Sequence, residues 1–85
     1  MPTVKIYTSA YCPFCSRAKA LLEKRGVTNL EEVSVDGKPE LRTHMQQLTG
    51  RTSVPQIFID GTHVGGCDDL HALDGQGGLT PLLQA

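Results

Sequence analysis

A pair of cysteines stands directly between a strand-like segment and a helix-like segment. Residues 3–8 are mostly β-branched or aromatic, which favours a β-strand. After a short loop come Cys12-Pro13-Phe14-Cys15, and Cys15, Ala18, Leu21 and Leu22 then fall on one face of a helix. Proline suits the first position of a helix, because the N–H at that position needs no partner within the helix. The pattern therefore predicts a strand, and then a helix that carries two cysteines at its N-terminus.

The rest of the chain alternates between further strands and helices. Strands are predicted at 30–35, 56–59 and 62–64, and Asp60-Gly61 between the last two is a strong hairpin signal. Helices are predicted from Pro39 to Gly50, from Cys67 through Leu73, and for one last turn from Pro81. A helix joins the first two strands, so these should be parallel, whereas the hairpin is antiparallel.

This order, β-α-β-α-β-β-α, predicts the fold class. We expect one α/β domain, residues 1–85, with a four-stranded mixed sheet and helices on both of its faces. The predicted core contains Leu21, Leu22, Met45, Leu48, Phe58 and Leu70.

The composition argues against several classes of function. The 85 residues include 8 basic and 9 acidic side chains, a formal net charge of −1, so neither nucleic acid nor a membrane is expected as a partner. No apolar run approaches the roughly 20 residues of a membrane span. The first residues do not resemble a secretion signal, and three cysteines are an odd number for an exported disulfide scaffold. We expect a cytoplasmic protein whose close cysteine pair is catalytic or metal-binding.

Cys12 is predicted to be the reactive thiol. At the N-cap of the first helix, its sulfur would face the backbone N–H groups of Phe14 and Cys15 and the positive end of the helix dipole. Both favour a thiolate, as in other Cys-X-X-Cys motifs, and Arg17 and Lys19 add weaker positive charge. Cys15 lies one turn further along the same face and should be the more buried, resolving thiol.

A zinc site is the alternative interpretation of two cysteines at this spacing. Such a site needs two more ligands, usually a second Cys-X-X-Cys or a histidine pair. The remaining candidates are scattered singly over three elements: Cys67, His44, His63 and His71. A Cys-X-X-Cys between a strand and a helix of a βαβ unit is instead typical of thiol–disulfide chemistry.

The sequence resembles the glutaredoxins in four motifs that span nearly the whole chain at the right separations. They are Ile6-Tyr7-Thr8, Cys12-Pro13-Phe14-Cys15, the segment from Arg51 to Ile59, and Gly65-Gly66-Cys67-Asp68-Asp69-Leu70. The resemblance implies a thioredoxin-like fold, glutathione as the reductant, and a cis peptide bond before Pro55. The sequence by itself leaves the isomer of that bond open.

The resemblance also implies where glutathione binds. The Val54 backbone would pair with its cysteine, and Arg42 would face its glycyl carboxylate, with a solvated arginine as the alternative. The start of the third helix has an independent interpretation: its glycines admit a ligand and its N–H groups suit a carboxylate. Asp68 could accept from the γ-glutamyl ammonium, whereas Asp69 is expected to stabilise the helix start. The predicted contacts are Pro13, Phe14, Arg42, Ser53, Val54, Pro55, Gly66, Cys67 and Asp68.

Three positions depart from the family pattern. Ser9 stands where many relatives carry lysine, Phe14 where tyrosine is commoner, and Ser53 where threonine is usual. Loss of the lysine is expected to affect glutathione binding or the Cys12 thiolate. Cys67 is interpreted as a small, partly buried residue, and glutathionylation or a non-native disulfide is its alternative role.

We therefore predict a dithiol glutathione-disulfide oxidoreductase that reduces protein disulfides and glutathione mixed disulfides. Its partners would be glutathione and disulfide-bearing or glutathionylated proteins, and we expect a monomer without bound metal. One alternative is a redoxin reduced by thioredoxin reductase. Another is a carrier that bridges a [2Fe–2S] cluster between two protomers through Cys12 and glutathione, which Pro13 disfavours by stiffening the loop.

Overall fold

The computed structural model describes residues 2–84, so positions 1 and 85 of the predicted domain lie outside the described residues. The strands are β1 (Val4–Thr8), β2 (Glu31–Ser34), β3 (Gln56–Ile59) and β4 (Thr62–Gly65). The helices are α1 (Pro13–Lys24), α2 (Pro39–Thr49), α3 (Cys67–Gly75) and α4 (Leu79–Gln84). The predicted order of elements is confirmed as far as α3.

The last helix differs from the prediction, since it begins at Leu79 and not at Pro81. Proline is tolerated anywhere in the first turn of a helix, so Pro81 does not have to be its first residue. Leu79, the first residue of α4, is fully buried in the core. In the described part of the chain, no helix is long and apolar enough to cross a membrane.

The four strands form one mixed sheet in the order β2-β1-β3-β4. Strands β1 and β2 are parallel, as the helical connection predicts, and β3 is antiparallel to both β1 and β4. The β3–β4 hairpin turns at Asp60 and Gly61, whose φ angles of 51° and 84° both lie in the left-handed region. An Asp-Gly pair suits such a turn because neither residue is strongly disfavoured at positive φ.

Helices cover both faces of the sheet, because successive side chains of a strand point to opposite faces. On one face Val4, Ile6, Ile57 and Ile59 pack against α1, α3 and α4. On the other face Tyr7 and Phe58 meet α2 through Met45 and Leu41. The α1 side chains predicted to share a face are all buried: Cys15, Ala18, Leu21 and Leu22.

The prediction that Leu48 belongs to the core is wrong. Its side chain is 50 % exposed, whereas Met45 is fully buried. Helix α2 meets the sheet through Leu41 and Met45, and Leu48 lies in the turn beyond them. Helical spacing sets the direction of a side chain but not how far the helix continues over the sheet. Phe58 is only partly buried, and its ring lies edge-on to Tyr7 at a centroid distance of 6.1 Å.

Candidate active site

Cys12 is the N-cap residue of α1, as predicted. Its backbone is extended (φ −109°, ψ 99°), Pro13 follows in the first turn, and the Cys15 backbone N–H donates to Cys12 Sγ at 3.1 Å. A donor at this distance stabilises a negative charge on the sulfur, and the helix dipole acts in the same direction. The second predicted donor, the Phe14 N–H, is not among the contacts of this sulfur in the described residues. Cys12 is partly exposed, so a substrate can reach it.

Cys15 is the buried partner of the pair, with 2 % of its surface exposed. Burial raises its pKa to about 12, and the hydrogen bond and the charge of Cys12 act in the same direction. A backbone hydrogen bond from Ser9 and the charge of Lys19 oppose this rise. Cys15 is therefore a neutral thiol at pH 7, and Cys12 is the cysteine prepared for attack.

The Val54 carbonyl lies on the far side of the same sulfur. Cys12 Sγ is 3.8 Å from Val54 O, and the Val54–Pro55 peptide bond is cis, as the resemblance implied. Only a protonated sulfur can donate to a carbonyl, so this contact favours the thiol. It is longer than the 3.1 Å contact with the Cys15 N–H, which favours the thiolate, and is therefore the weaker of the two.

A shallow groove begins beside these groups and is called the active-site groove below. It encloses about 250 Å³. The lining residues are Phe14, Arg51, Ser53, Val54, Pro55, Gly66, Cys67, Asp68 and Asp69. Seven of the nine predicted glutathione contacts lie in this lining: Phe14, Ser53, Val54, Pro55, Gly66, Cys67 and Asp68. Pro13 lines a different cleft, beside both cysteines, and Arg42 is in neither lining.

Arg42 is exposed on α2 and contacts the segment that leads into the groove. Its Nη1 donates to the Thr52 carbonyl at 3.2 Å. The contact ties α2 to the residues before Val54, so Arg42 stands near the groove without lining it.

The two neighbouring aspartates at the start of α3 have different surroundings. Asp69 accepts from the Gly66 backbone N–H at 2.9 Å and from Arg51 Nη1 at 2.7 Å. The Arg51 hydrogen bond, followed by the Gly66 N–H, lowers the pKa of Asp69. This confirms the prediction that Asp69 stabilises the helix start. Asp68 is exposed and lines the groove, where it can meet a ligand.

Cys67 is buried, more fully than the predicted partly buried residue, and it also lines the active-site groove. Its Sγ lies 3.5 Å from His71 Nδ1, and burial raises the pKa of its thiol. His71 Nδ1 is also 2.9 Å from the Cys67 carbonyl, one turn back along the same helix. Within the described residues, no group of three or more possible metal-ligating side chains comes together.

Two polar networks that support the site were not found from the sequence. Asp36, just after β2, accepts from Ser9 Oγ and from the Ala10 N–H, both at 2.6 Å. These bonds hold the loop before Cys12, and they lower the pKa of Asp36, with the Ser9 bond as the first cause. The only local signal in the sequence was Asp36-Gly37, which indicates a turn but does not indicate which residues Asp36 contacts.

The second network holds the backbone at Ser53, the residue before Val54. Buried Gln56 donates from Nε2 to the Ser53 carbonyl at 3.0 Å, and its Oε1 lies 2.8 Å from His63 Nε2. The amide thus connects the β3–β4 hairpin to the groove. Gln56 Oε1 can only accept, so His63 Nε2 is the donor in this contact, and burial lowers the pKa of His63.

Comparisons with known proteins agree with this geometry. The glutaredoxin family model matches residues 4–64. A glutaredoxin of Pseudomonas aeruginosa is 58 % identical over 85 residues, covering 100 % of both chains. Glutaredoxin 3 of Escherichia coli K12 is 56 % identical over 84 residues, covering 99 % of this chain and 100 % of the relative.

A solved structure extends the match to three dimensions. The crystal structure of a buckwheat glutaredoxin–glutathione complex superposes with a TM-score of 0.90 at 30 % identity, covering 98 % of this chain and 77 % of the other. Sequence, fold and the cysteine pair at the start of α1 agree, and the chain belongs to the glutaredoxin family.

Proposed function

We propose that this protein is a glutathione-dependent thiol–disulfide oxidoreductase that reduces glutathione mixed disulfides and protein disulfides. The observation that carries the proposal is the position of Cys12. Its sulfur is partly exposed beside the active-site groove and accepts a 3.1 Å hydrogen bond from the N-terminus of α1. A thiolate in that position is both stabilised and accessible, as thiol–disulfide exchange requires.

In the first step the Cys12 thiolate attacks the glutathionyl sulfur of a mixed disulfide. A bond forms between Cys12 Sγ and that sulfur, and the substrate leaves as a thiolate that takes a proton from solvent. A second glutathione thiolate then attacks the glutathionyl sulfur bound to Cys12. Oxidised glutathione leaves, and Cys12 is again a thiolate. This cycle uses one cysteine.

A protein disulfide needs both cysteines. Cys12 first forms a mixed disulfide with the substrate, and Cys15 then attacks Cys12 Sγ and releases the second substrate thiol. Before the first step the Cys12 thiolate helps to hold Cys15 protonated. That charge disappears when Cys12 becomes part of a disulfide, so Cys15 loses its proton more readily at the stage where it must attack.

We propose that glutathione occupies the active-site groove. Its cysteine would pair with the Val54 backbone, and its γ-glutamyl carboxylate and ammonium would meet the start of α3 and Asp68. Phe14 and Pro55 offer apolar surfaces within the groove lining. Arg42 would reach the glycyl carboxylate from α2. The buckwheat relative solved as a glutaredoxin–glutathione complex supports glutathione as the ligand.

The test is a glutathione-coupled reduction assay on wild type, Cys12→Ser and Cys15→Ser. We expect Cys12→Ser to lose the reduction of glutathionylated peptides and the reduction of protein disulfides. Cys15→Ser should keep the reduction of a glutathionylated peptide and lose most of the reduction of a protein disulfide. If Cys15→Ser lost the reduction of the glutathionylated peptide, or Cys12→Ser kept it, the assignment of the two sulfurs would be wrong. A parallel assay with thioredoxin reductase identifies the reductant.

We further propose that residues 1–85 form one catalytic domain that acts as a monomer in the cytoplasm on disulfide-bearing or glutathionylated proteins. The described residues form one sheet with two core clusters, one on each face. The odd number of cysteines suits a reducing compartment. Sedimentation of the reduced protein tests the oligomeric state.

A further inference from the structure

A second cleft opens beside the two cysteines and shares no lining residue with the active-site groove. It encloses about 630 Å³, and its lining includes Cys12, Cys15, Lys19, Thr8 and Glu32. We call it the thiol cleft. The cycle described above uses the two sulfurs of this lining and gives no role to Lys19 and Glu32.

Lys19 is held in place within the thiol cleft. It lies one helical turn after Cys15, on the same face of α1. Its Nζ is 3.3 Å from Glu32 Oε1 and 3.2 Å from Glu32 Oε2. Glu32 in turn accepts from Thr8 Oγ1 at 2.8 Å, so the ammonium is fixed against strands β1 and β2.

The charged and titratable groups of the thiol cleft act differently on Cys15. Burial and Cys12 disfavour its thiolate, whereas Lys19 is the cationic side chain that favours it. Glu32 faces the same cleft from β2 with its charge paired to Lys19. Once Cys12 is part of a mixed disulfide, burial remains as the main obstacle to ionisation of Cys15, and Lys19 opposes it.

We propose that Lys19, held by Glu32, is a positioning residue for the resolving step, with its ammonium placed to stabilise Cys15 while that thiol ionises. The inference rests on the proposed function. In this step a bond forms between Cys15 Sγ and Cys12 Sγ, and the bond between Cys12 Sγ and the substrate sulfur breaks. The Cys15 proton goes to solvent, and the substrate leaves as a thiolate that is protonated there.

The expected size of the effect follows from thiol chemistry. Loss of a neighbouring positive charge raises the pKa of a thiol by roughly one pH unit, which lowers the thiolate fraction about tenfold. The more basic thiolate is also about threefold more nucleophilic, since the Brønsted coefficient is about 0.4–0.5. The net expectation is a resolving step roughly threefold slower at neutral pH.

The experiment compares Lys19→Gln with Lys19→Arg, which keeps the charge, and with Lys24→Gln, which removes a lysine from the last turn of the same helix. Each reduced protein is mixed with oxidised glutathione and quenched in acid. Mass spectrometry then follows the conversion of the Cys12–glutathione mixed disulfide into the Cys12–Cys15 disulfide. Reduction of a glutathionylated peptide is measured for the same substitutions in the Cys15→Ser protein, where no resolving step occurs.

We expect the ratio of the resolving rate to the one-cysteine turnover to fall about threefold in Lys19→Gln and to stay at the wild-type value in Lys19→Arg and Lys24→Gln. The resolving rate of Lys19→Gln should also keep rising to higher pH than that of wild type. A ratio that does not change, or equal slowing of both activities, would overturn the inference. Complete loss of peptide reduction in Cys15→Ser alone would instead refute the proposed function.

Discussion

The adjacent aspartates Asp68 and Asp69 should have separable roles, and this can be measured. Replacing Asp69 by alanine removes the acceptor of the Gly66 N–H and the partner of Arg51. Asp69 is the third residue of α3, and loss of a side-chain acceptor for the N–H groups at a helix start costs about 1 kcal/mol. The Arg51 ion pair is 48 % and 42 % exposed, so solvent screening limits it to less than about 1 kcal/mol. The Asp69→Ala protein should be destabilised by about 1–2 kcal/mol.

Thermal and urea unfolding measure this loss, which corresponds to a melting temperature lower by roughly 5–15 °C for a domain of this size. Asp69→Asn keeps an oxygen acceptor and should lose less stability than Asp69→Ala. The pKa of Asp69 is lowered in the folded state, so its contribution is present above the ordinary value near 3.8 and is lost as the pH falls through the depressed value. The difference between wild type and Asp69→Ala should therefore be constant at pH 5–8 and disappear in acid.

Asp68→Ala is the matched control, since Asp68 is exposed and lines the groove. Its stability should stay within about 0.5 kcal/mol of wild type. Loss of a hydrogen bond to the glutathione ammonium should lower kcat/KM for a glutathione mixed disulfide roughly tenfold or more. If Asp68→Ala were destabilised as much as Asp69→Ala, or kept a wild-type kcat/KM, the division of roles would be refuted.

Two further predictions concern the core and the turn before α3. Met45 is fully buried and Leu48 is half exposed. Met45→Ala should therefore lower the free energy of unfolding in urea by about 2–5 kcal/mol, and Leu48→Ala by less than about 0.5 kcal/mol. Similar losses for the two variants would mean that α2 packs differently. Gly65 has φ 119°, and a Cβ there would overlap the Asp69 side chain. Gly65→Ala should therefore lower the free energy of unfolding by roughly 2 kcal/mol or more. Gly37 has φ 67° and nothing lies within 4 Å of the added carbon, so Gly37→Ala should lower it by about 1 kcal/mol. Equal losses for the two alanines would refute the overlap.

Much of the fold could be predicted because its signals are local. Pro13 after Cys12 indicates where α1 begins, and Asp60-Gly61 indicates the hairpin turn. Each of these features depends on side chains and backbone groups within about one helical turn. The N-cap position of Cys12 belongs to the same class, since the donor to its sulfur is the N–H of Cys15, three residues away. The cis bond before Pro55 was implied only by the family resemblance.

The tertiary structure alone decided which distant groups meet. Val54 reaches the Cys12 sulfur across 42 residues, and Asp36 holds the loop at Ala10 across 26. Glu32 fixes Lys19 across 13 residues because β2 lies next to β1, and no property of residue 32 or its neighbours indicates that partner. Spacing along the chain sets which way a side chain points, whereas the packing of the sheet and its helices sets what it meets. The amino-acid sequence therefore predicted which sulfur attacks and determined the elements around it, and the fold determined the groups that hold Cys12 and Cys15 in place.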